Sequence, residues 1–569
     1  MVTSSLTPAQ LSRIDSYVQK AMSCRNVPGL SLSVVQNEQP IMVKGYGWAN
    51  VAQRTQATNK TVFCIASVSK HITAAALGTL MNSNEPKGPS FKSKVKDILG
   101  DEFQLADKDR EGKITIGDLL SHRTGMGRAG LPFMMGGYNK TELFRRMRFV
   151  QPIREFREEF QYNNIMYAVA GKVAEKLHGG GKSYEDIVID NLFKPLGMGD
   201  ATFLSRDPAR WKRDFAQPYF MLGNITAEQS MEVLRPAGDI TAPAGAVCLH
   251  SEDMAKWQQF LLARGKNPAG QALLQDSVFN ELVKDWIPVH NSPNRQYPAL
   301  RPFDPVTKSR DNYGLGLYTG YYRGYRLYFH AGFKFGFTSH LMVFPDLNIS
   351  ISTSNNNFQG GASSVHSPIH MFITDILLGL SPWWDESNIC PTGVLSEQEP
   401  QEPSDLAQFG ATFPRPITTK KGSMRPLKEY AGSYGSYAQG QMELKLVNIT
   451  DIGEAIHGTY GTIGDILLFQ SGQRDVLVGR GQNNMRFVDE IAIYFSANST
   501  TDNIISLAVP IDPDSPPTFI KDLNSDELPN PPTSPPPATC PPIRSGVPTQ
   551  GPLGKSVLVA FITTLMALL

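Results

Sequence analysis

Apolar and polar residues alternate with two different periods along the first eighty residues. Residues 7–24 carry apolar side chains at helical spacing after the start signal Thr7-Pro8, which predicts an amphipathic helix. Residues 29–36 and 41–46 alternate with the strand period on either side of a polar turn, which predicts an antiparallel pair. In residues 63–80 a β-branched run leads into helical spacing, so a buried helix is expected there.

Strand-like runs return late in the chain, after a middle part with helical spacing. Helices are predicted over residues 141–147, 166–177 and 368–378. Ser251 is the predicted N-cap of a further helix that ends near residue 262. Residues 328–355 hold two apolar runs, and a Pro345-Asp346 turn breaks the second. Early and late strands with helices between them predict an α+β fold with an antiparallel sheet.

The last third of the chain differs in composition from the rest. Residues 384–425 are rich in Glu, Gln, Pro and Ser, which is typical of a linker. Residues 427–510 show short alternating runs separated by glycine-rich turns, which predicts a small all-β barrel or sandwich. Ten of the 24 residues in 529–552 are proline, which favours a stiff, extended stalk without a core.

Composition narrows the classes of protein to consider. With 569 residues, 41% of them hydrophobic and 19% charged, the chain is long enough for more than one globular domain. The formal charge of +1 gives no reason to expect a nucleic acid as partner. The five cysteines form no CxxC pair, which disfavours a structural zinc site and leaves one or two disulfides open. No metal or cofactor is expected.

The sequence Ser67-Val68-Ser69-Lys70 is the first candidate for chemistry. At the start of a buried helix, Lys70 would lie on the same face as Ser67, one turn away. A serine hydroxyl needs a neighbouring base, and a desolvated lysine loses its proton more readily than one in water. The N–H groups at the helix start could bind a developing oxyanion. A second copy, Ser93–Lys96, lies in a lysine-rich loop without an apolar helix behind it.

Tyr162 and Asn164 precede the predicted helix 166–177, in a loop whose side chains can project into a cleft. A lysine ammonium nearby would favour the tyrosine phenolate, which makes Tyr162 a candidate general base. Asn164 could donate a hydrogen bond to a substrate carbonyl and hold Lys70. The alternative is that these residues form an ordinary turn.

His330 and Gly332 lie in a predicted strand of the late sheet. The glycine would allow close approach of a ligand to the backbone. The backbone N–H of Phe333 could complete an oxyanion hole together with that of Ser67. The alternative for His330 is a core histidine with satisfied hydrogen bonds.

In this order and with their flanking segments, the three motifs resemble the serine β-lactamase-related family, which includes class C β-lactamases, D-alanyl-D-alanine carboxypeptidases and related esterases and amidases. The flanks that carry the likeness include FCIASVSKHITA, ITIGDLLSHRTGM and QYNNIMYAVAGKVAEKLHG. The resemblance implies an antiparallel sheet flanked by helices, with a helical subdomain. The later β segments are similar to the lipocalin-like domain that often follows such enzymes. The expected division is a catalytic domain (1–383), a linker (384–426), an all-β domain (427–522), a stalk (523–555) and an apolar tail (556–569).

The resemblance also implies a role for each motif residue. Ser67 would form an acyl-enzyme, Lys70 and Tyr162 would move the proton, and Tyr162 would activate the deacylating water. Asn164 would position Lys70 and a substrate amide, and the N–H groups of Ser67 and Phe333 would bind the oxyanion. His330 and Gly332 would line the substrate cleft.

The third motif departs from the Lys-Thr-Gly of β-lactamases, where the lysine and threonine help to bind the substrate carboxylate. His330 is expected to be neutral or partly charged, and Ala331 has no hydroxyl. The departure favours an esterase, amidase or peptidase acting on a small-molecule or peptide substrate. The alternatives are a catalytically quiet scaffold that binds an extracellular partner, and a peptidase of the D-Ala-D-Ala type.

The two ends of the chain predict different locations. Residues 556–569 are uncharged and apolar and follow small residues and a spacer, as in a GPI-attachment signal; a short C-terminal membrane helix is the alternative. The first residues show no secretory h-region, and we expect the N-terminus to be incomplete. An extracellular or cell-surface glycoprotein is expected, with these sequons as candidates: Asn59, Asn139, Asn224, Asn348, Asn448 and Asn498.

Overall fold

The computed structural model describes residues 6–81, 88–206, 208–222, 225–289, 308–358, 365–390, 424–450, 452–485, 491–510 and 516–529. The helices are α1 (Pro8–Cys24), α2 (Lys70–Thr79), α3 (Val95–Leu99), α4 (Lys108–Lys113), α5 (Ile116–Leu120), α6 (Gly130–Met135), α7 (Lys140–Arg146), α8 (Asn164–His178), α9 (Tyr184–Val188), α10 (Arg235–Gly245), α11 (Ser251–Leu262), α12 (Asp276–Val283) and α13 (His366–Leu377).

The first fifteen strands belong to the part of the chain before residue 391. They are β1 (Gly29–Gln36), β2 (Gln39–Asn50), β3 (Thr55–Gln56), β4 (Phe63–Cys64), β5 (Thr202–Phe203), β6 (Tyr219–Leu222), β7 (Ile225–Glu228), β8 (Val247–Leu249), β9 (Ile287–Pro288), β10 (Asn312–Tyr313), β11 (Tyr318–Tyr322), β12 (Tyr325–Lys334), β13 (Phe337–Phe344), β14 (Ile349–Asn355) and β15 (Asn357–Phe358). The other eight are β16 (Gly432–Ser436), β17 (Gly440–Ile449), β18 (Gly453–Tyr460), β19 (Gly464–Gln470), β20 (Val476–Gly481), β21 (Ile491–Ala497), β22 (Ile504–Ala508) and β23 (Thr518–Lys521).

One nine-stranded antiparallel sheet joins the early and late strands, in the order β3-β2-β1-β14-β13-β12-β11-β10-β9. Strand β1 pairs with β2 on one side and with β14 on the other, so that Leu30 lies opposite both Tyr46 and Asn355. The chain leaves the sheet after β3 and returns at β9, and most of the helices lie in the segment between. The predicted α+β fold with a late return of the sheet is therefore confirmed.

Helices cover both faces of this sheet. Helices α1 and α13 pack together, and the Tyr17 and Phe372 rings stack at 3.8 Å. Helix α11 contacts β1, β2 and β14, where Gln258 accepts a hydrogen bond from Ser33 and donates one to Ser350. Strand β12 also packs against the turn Ala66–Ser69, which precedes α2.

Most element boundaries follow the sequence pattern closely. Thr7 caps α1 with a capping box, and β1 has the predicted bounds. The predicted N-cap Ser251 is wrong, since the side chain of His250 accepts the N–H of Asp253 and Ser251 is already helical. The buried helix starts later than expected, because residues Ala66–Ser69 form a 3-10 turn and α2 begins at Lys70.

Strands β16–β23 form a closed barrel in which β16 pairs with both β17 and β23. The prediction of a small all-β unit is confirmed, and the barrel alternative is the correct one. The barrel contacts the segment from α6 to α7: Tyr138 donates to the carbonyl of Ala438, and Arg146 donates to the carbonyl of Ser525 and pairs with Asp526. The exact domain boundaries stay predictions.

Two disulfides join distant parts of the chain. Cys24 at the end of α1 pairs with Cys390, and Cys64 in β4 pairs with Cys248 in the adjacent β8. Most of the predicted linker, nearly all of the stalk, Cys540 and the apolar tail lie outside the described residues. Within the described ranges, no helix is long and apolar enough to cross a membrane.

Candidate active site

Ser67 lies in the buried 3-10 turn that connects β4 to α2. Backbone pairing fixes this turn at its start, since β4 pairs with β8 and the N–H of Ile65 donates to the carbonyl of Val247. Ser69 fixes it from within, because its Oγ accepts the N–H of Val247. The Cys64–Cys248 disulfide covalently joins the same two strands. The hydroxyl of Ser67 therefore projects from a turn that is held from several directions.

Lys70 is fully buried, and its Nζ has three oxygen neighbours. They are Oδ1 of Asn164 at 2.6 Å, the carbonyl oxygen of Ala244 at 2.8 Å and Oγ of Ser67 at 3.0 Å. Burial holds the pKa of Lys70 well below its usual value, and the positive charge of Lys334 lowers it further. The two carbonyl-type oxygens can only accept, so they take the two hydrogens of a neutral amine. The remaining lone pair of Nζ can then accept the proton of Ser67.

Tyr162 donates a hydrogen bond from its hydroxyl to Oγ of Ser67 at 2.8 Å. Burial raises the pKa of Tyr162 well above its usual value, more than its neighbours lower it. The expected preference for the phenolate is therefore wrong, because burial is the largest effect on the pKa of Tyr162 and raises it. Tyr162 is a hydroxyl donor before the reaction begins.

Asn164 is the first residue of α8, and Asn163 is its N-cap. The Asn163 side chain accepts the N–H groups of Ile165 and Met166 and donates to the carbonyls of Met126 and Gly127. The helix start is therefore anchored to the loop that precedes α6. This anchoring directs the amide of Asn164 toward Lys70, and the alternative of an ordinary turn does not describe this segment.

His330 lies in β12, and both of its ring nitrogens have partners. Nδ1 is 2.6 Å from the carbonyl oxygen of Ala331, and Nε2 is 3.0 Å from the hydroxyl of Tyr313. Burial holds the pKa of His330 well below its usual value, so Nδ1 donates and Nε2 accepts in the neutral ring. His330 thus matches the alternative of a core histidine, packed near Tyr162 in the wall of the site.

Gly332 is required by packing rather than by a ligand. A Cβ at this position would lie 2.1 Å from the carbonyl oxygen of Ile65 and 2.1 Å from Oγ of Ser339. The expected close approach therefore exists, but the approaching group is the backbone two residues before Ser67. Phe333, the next residue of β12, is buried, and this strand packs against the turn that carries Ser67.

Sequence reasoning missed two buried residues beside the site. Lys334 shares a strand face with His330 and Gly332, and its Nζ is 3.3 Å from the carbonyl oxygen of Gly245, next to the carbonyl that binds Lys70. The alternating pattern of β12 could have indicated it. His122 accepts the N–H of Asn163, and its ring centre is 4.3 Å from that of Tyr162. The one sequence signal for His122 was its position in the SHRTGM segment.

One group of side chains has the composition of a metal site, formed by Asp200, His250 and Asp253. His250 contacts both carboxylates, at 3.0 and 3.8 Å, and Lys256 pairs with Asp253. These contacts explain the group as the N-terminal cap of α11.

Among the predicted sequons, Asn139, Asn448 and Asn498 are exposed, Asn59 and Asn348 are half-buried, and Asn224 lies outside the described residues.

The chain is similar to a known protein family, to individual proteins and to a solved structure. A family model described as Beta-lactamase matches residues 14–371. An unguisins hydrolase of Aspergillus campestris is 28% identical over 452 residues, covering 75% of this chain and 76% of the relative. Penicillin-binding protein 4 of Amycolatopsis lactamdurans is 26% identical over 262 residues, covering 44% of this chain and 63% of the relative. The solved structure of the octameric penicillin-binding protein homologue from Pyrococcus abyssi superposes with a TM-score of 0.51 at 20% identity, covering 90% of this chain and all of the other.

Proposed function

Because the chain belongs to the β-lactamase family, we propose that it is a serine hydrolase that cleaves an ester or amide through an acyl-enzyme on Ser67. The β-lactamase family and the related unguisins hydrolase support the general class of hydrolase. The observation that carries the proposal is the set of contacts around Lys70 Nζ, in which two acceptor oxygens leave one lone pair for Ser67. A nucleophile and a base in direct contact are what acyl transfer requires.

In the acylation step, Oγ of Ser67 attacks the carbonyl carbon of the substrate while Lys70 Nζ takes the hydroxyl proton. The substrate oxygen becomes an oxyanion, and the backbone N–H groups of Ser67 and Phe333 are the proposed donors that stabilise it. When the bond to the leaving group breaks, that group takes a proton from the hydroxyl of Tyr162, and Lys70 returns one to Tyr162. The products of this step are the acyl-enzyme and the protonated leaving group.

In the deacylation step, a water molecule replaces the leaving group and the proton transfers run in reverse. Lys70 and Tyr162 together accept the proton of the water as it attacks the acyl carbon, and Ser67 takes a proton back when it is released. Asn164 holds Lys70 in place throughout, since its Oδ1 accepts one of the amine hydrogens. The acid product and the resting site result.

We also propose that the protein works outside the cell or at its surface. Two disulfides favour an oxidising compartment, and three of the predicted sequons are exposed. Treatment of cells with a phosphatidylinositol-specific phospholipase tests the GPI anchor, because it would release the protein into the medium. A protein that stays with the cytosolic fraction would rule out this location.

Intact mass spectrometry tests the proposed chemistry. The wild-type protein and Ser67→Ala are incubated with a fluorescent β-lactam and with a p-nitrophenyl ester, and the mass is followed over time. We expect an adduct on the wild type alone, and its decay separates a hydrolase from a slow penicillin binder. A folded wild-type protein without any adduct would favour the quiet binding scaffold, and a preference for D-Ala-D-Ala peptides over esters would favour the peptidase.

A further inference from the structure

Arg128 lies in the loop that holds the start of α8, and it forms no ion pair with any residue that the structure describes. It follows Met126 and Gly127, whose carbonyls accept hydrogen bonds from Asn163. Its Nε is buried and has no hydrogen-bond partner among the residues that the structure describes. An unpaired guanidinium nitrogen out of water is costly, so its retention needs an explanation.

The surroundings of Arg128 place it next to the reacting groups. Asn163, which holds the Arg128 loop, is the residue between Tyr162 and Asn164. Burial raises the pKa of Tyr162 and lowers that of His122, and the positive charge of Arg128 is close enough to lower both. Arg128 therefore acts on Tyr162 and His122, two rings that pack together in the candidate active site.

Two more buried donors near Tyr162 have no partner in the described part of the chain. They are Nε2 of Gln161 and Nε2 of His122. Since Nδ1 of His122 accepts the N–H of Asn163, the neutral ring carries its hydrogen on Nε2, which makes it a donor. Three donors around one tyrosine lack an acceptor, and one of them belongs to a charged group.

We propose that Arg128 binds a carboxylate of the substrate, so that the preferred ester or amide carries an acidic group near the scissile bond. The inference rests on the proposed function and adds the substrate class. A guanidinium favours a carboxylate over a neutral carbonyl because both charge and fork geometry match. His330 and Ala331 lack the cation and hydroxyl that the Lys-Thr pair would supply, and Arg128 supplies a cation from a different element.

The acidic group could belong to the acyl part or to the leaving group, and two substrate pairs separate these sources. Mono-p-nitrophenyl adipate against p-nitrophenyl hexanoate tests the acyl side. 4-Acetoxybenzoate against its methyl ester tests the leaving-group side. For each pair, the ratio of kcat/KM for the acidic substrate to that for the neutral one is measured in wild type, Arg128→Gln, Arg128→Lys and Arg128→Glu. Arg145→Gln, an exposed arginine on α7, is the matched control.

We expect one of the two ratios to fall about 10- to 100-fold in Arg128→Gln and to be partly kept in Arg128→Lys, as loss of a charge-assisted hydrogen bond requires. Arg128→Glu reverses the charge and should therefore create a preference for the cationic ester p-nitrophenyl 6-aminohexanoate. A misfolded protein could not gain this new preference. The control should keep both ratios. Equal ratios in wild type and every Arg128 variant would overturn the proposal, whereas absence of Ser67-dependent turnover of all these esters would instead overturn the proposed function.

Discussion

Ser67-x-x-Lys70 and Ser93-x-x-Lys96 both place a serine just before the first turn of a helix. Lys70 is fully buried among neutral oxygens, whereas Lys96 is 30% exposed and pairs with Glu111 at 2.9 Å. Burial lowers the pKa of Lys70, and the hydrogen bond with Glu111 raises that of Lys96. The same four-residue spacing thus gives one lysine with a lowered pKa and one lysine with a raised pKa.

The serines differ as well. Oγ of Ser67 is in contact with Lys70 and Tyr162, whereas Oγ of Ser93 accepts the backbone N–H of Ser90 in a surface turn. A helix does follow the second copy, contrary to our expectation, but α3 has only five residues. Burial of Lys70 and the ion pair of Lys96, and not the spacing, therefore distinguish the two copies.

The largest effect is expected from removing the nucleophile. Ser67→Ala should lower kcat/KM for a p-nitrophenyl ester by at least about 10⁴-fold, because it removes the proposed nucleophile. Ser93→Ala should stay close to the wild-type value. Steady-state kinetics on both purified variants measure the difference, and an active Ser67→Ala would show that the two copies had been assigned the wrong way round.

Removing the base should come next. Lys70→Met should lower kcat/KM by about 10³-fold, within the range for a lost general base, with the fold kept as judged by circular dichroism. Lys96→Met loses a surface ion pair and should leave the turnover within about twofold. Similar losses in both variants would mean that the charge environment does not distinguish the two lysines.

A smaller loss is expected for Tyr162→Phe. The variant keeps the buried ring and removes only the hydroxyl that donates to Ser67, so acylation should slow by about 10²-fold. The loss should be smallest with a leaving group that needs no proton, such as p-nitrophenolate, and larger with an alkoxide. Stopped-flow acylation with the two ester types measures this, and equal losses would argue against the proton-donor role.

Lys334→Met should have the smallest effect on the rate and a distinct effect on its pH dependence. The charge of Lys334 lowers the pKa of Lys70, so its removal raises that pKa and moves the acidic limb of kcat/KM to higher pH. At pH 7 the rate should fall roughly three- to tenfold, and it should recover in alkaline buffer. Lys334→Arg keeps the charge, so the acidic limb of its kcat/KM profile should stay at the wild-type pH. A loss of rate in Lys334→Met that is the same at every pH would indicate a packing role only.

The sequence predicted the sheet, the first helix and the four side chains that meet around Ser67 and Lys70, since periodicity and motif order carry that information. It misplaced the protonation of Tyr162, because whether a tyrosine next to a lysine is buried is a property of the packed site. It also did not indicate which group approaches Gly332, because Ile65 lies 267 positions earlier in the chain. Arg128 could not be predicted at all, because the loop before it is held by hydrogen bonds from Asn163 to Met126 and Gly127, which lie 37 and 36 positions earlier in the chain.

The pH dependence of Ser67 acylation tests most directly whether Lys70 is a neutral amine. The rate of adduct formation with a p-nitrophenyl ester is followed by intact mass from pH 5 to pH 11, in wild type and in Lys96→Met. We expect both proteins to acylate readily at neutral pH. The acylation rate should fall only at a pH well below the ordinary lysine pKa of about 10.4. A limb close to that value in the wild type would show that Lys70 remains charged in the resting site and that another group takes the proton of Ser67.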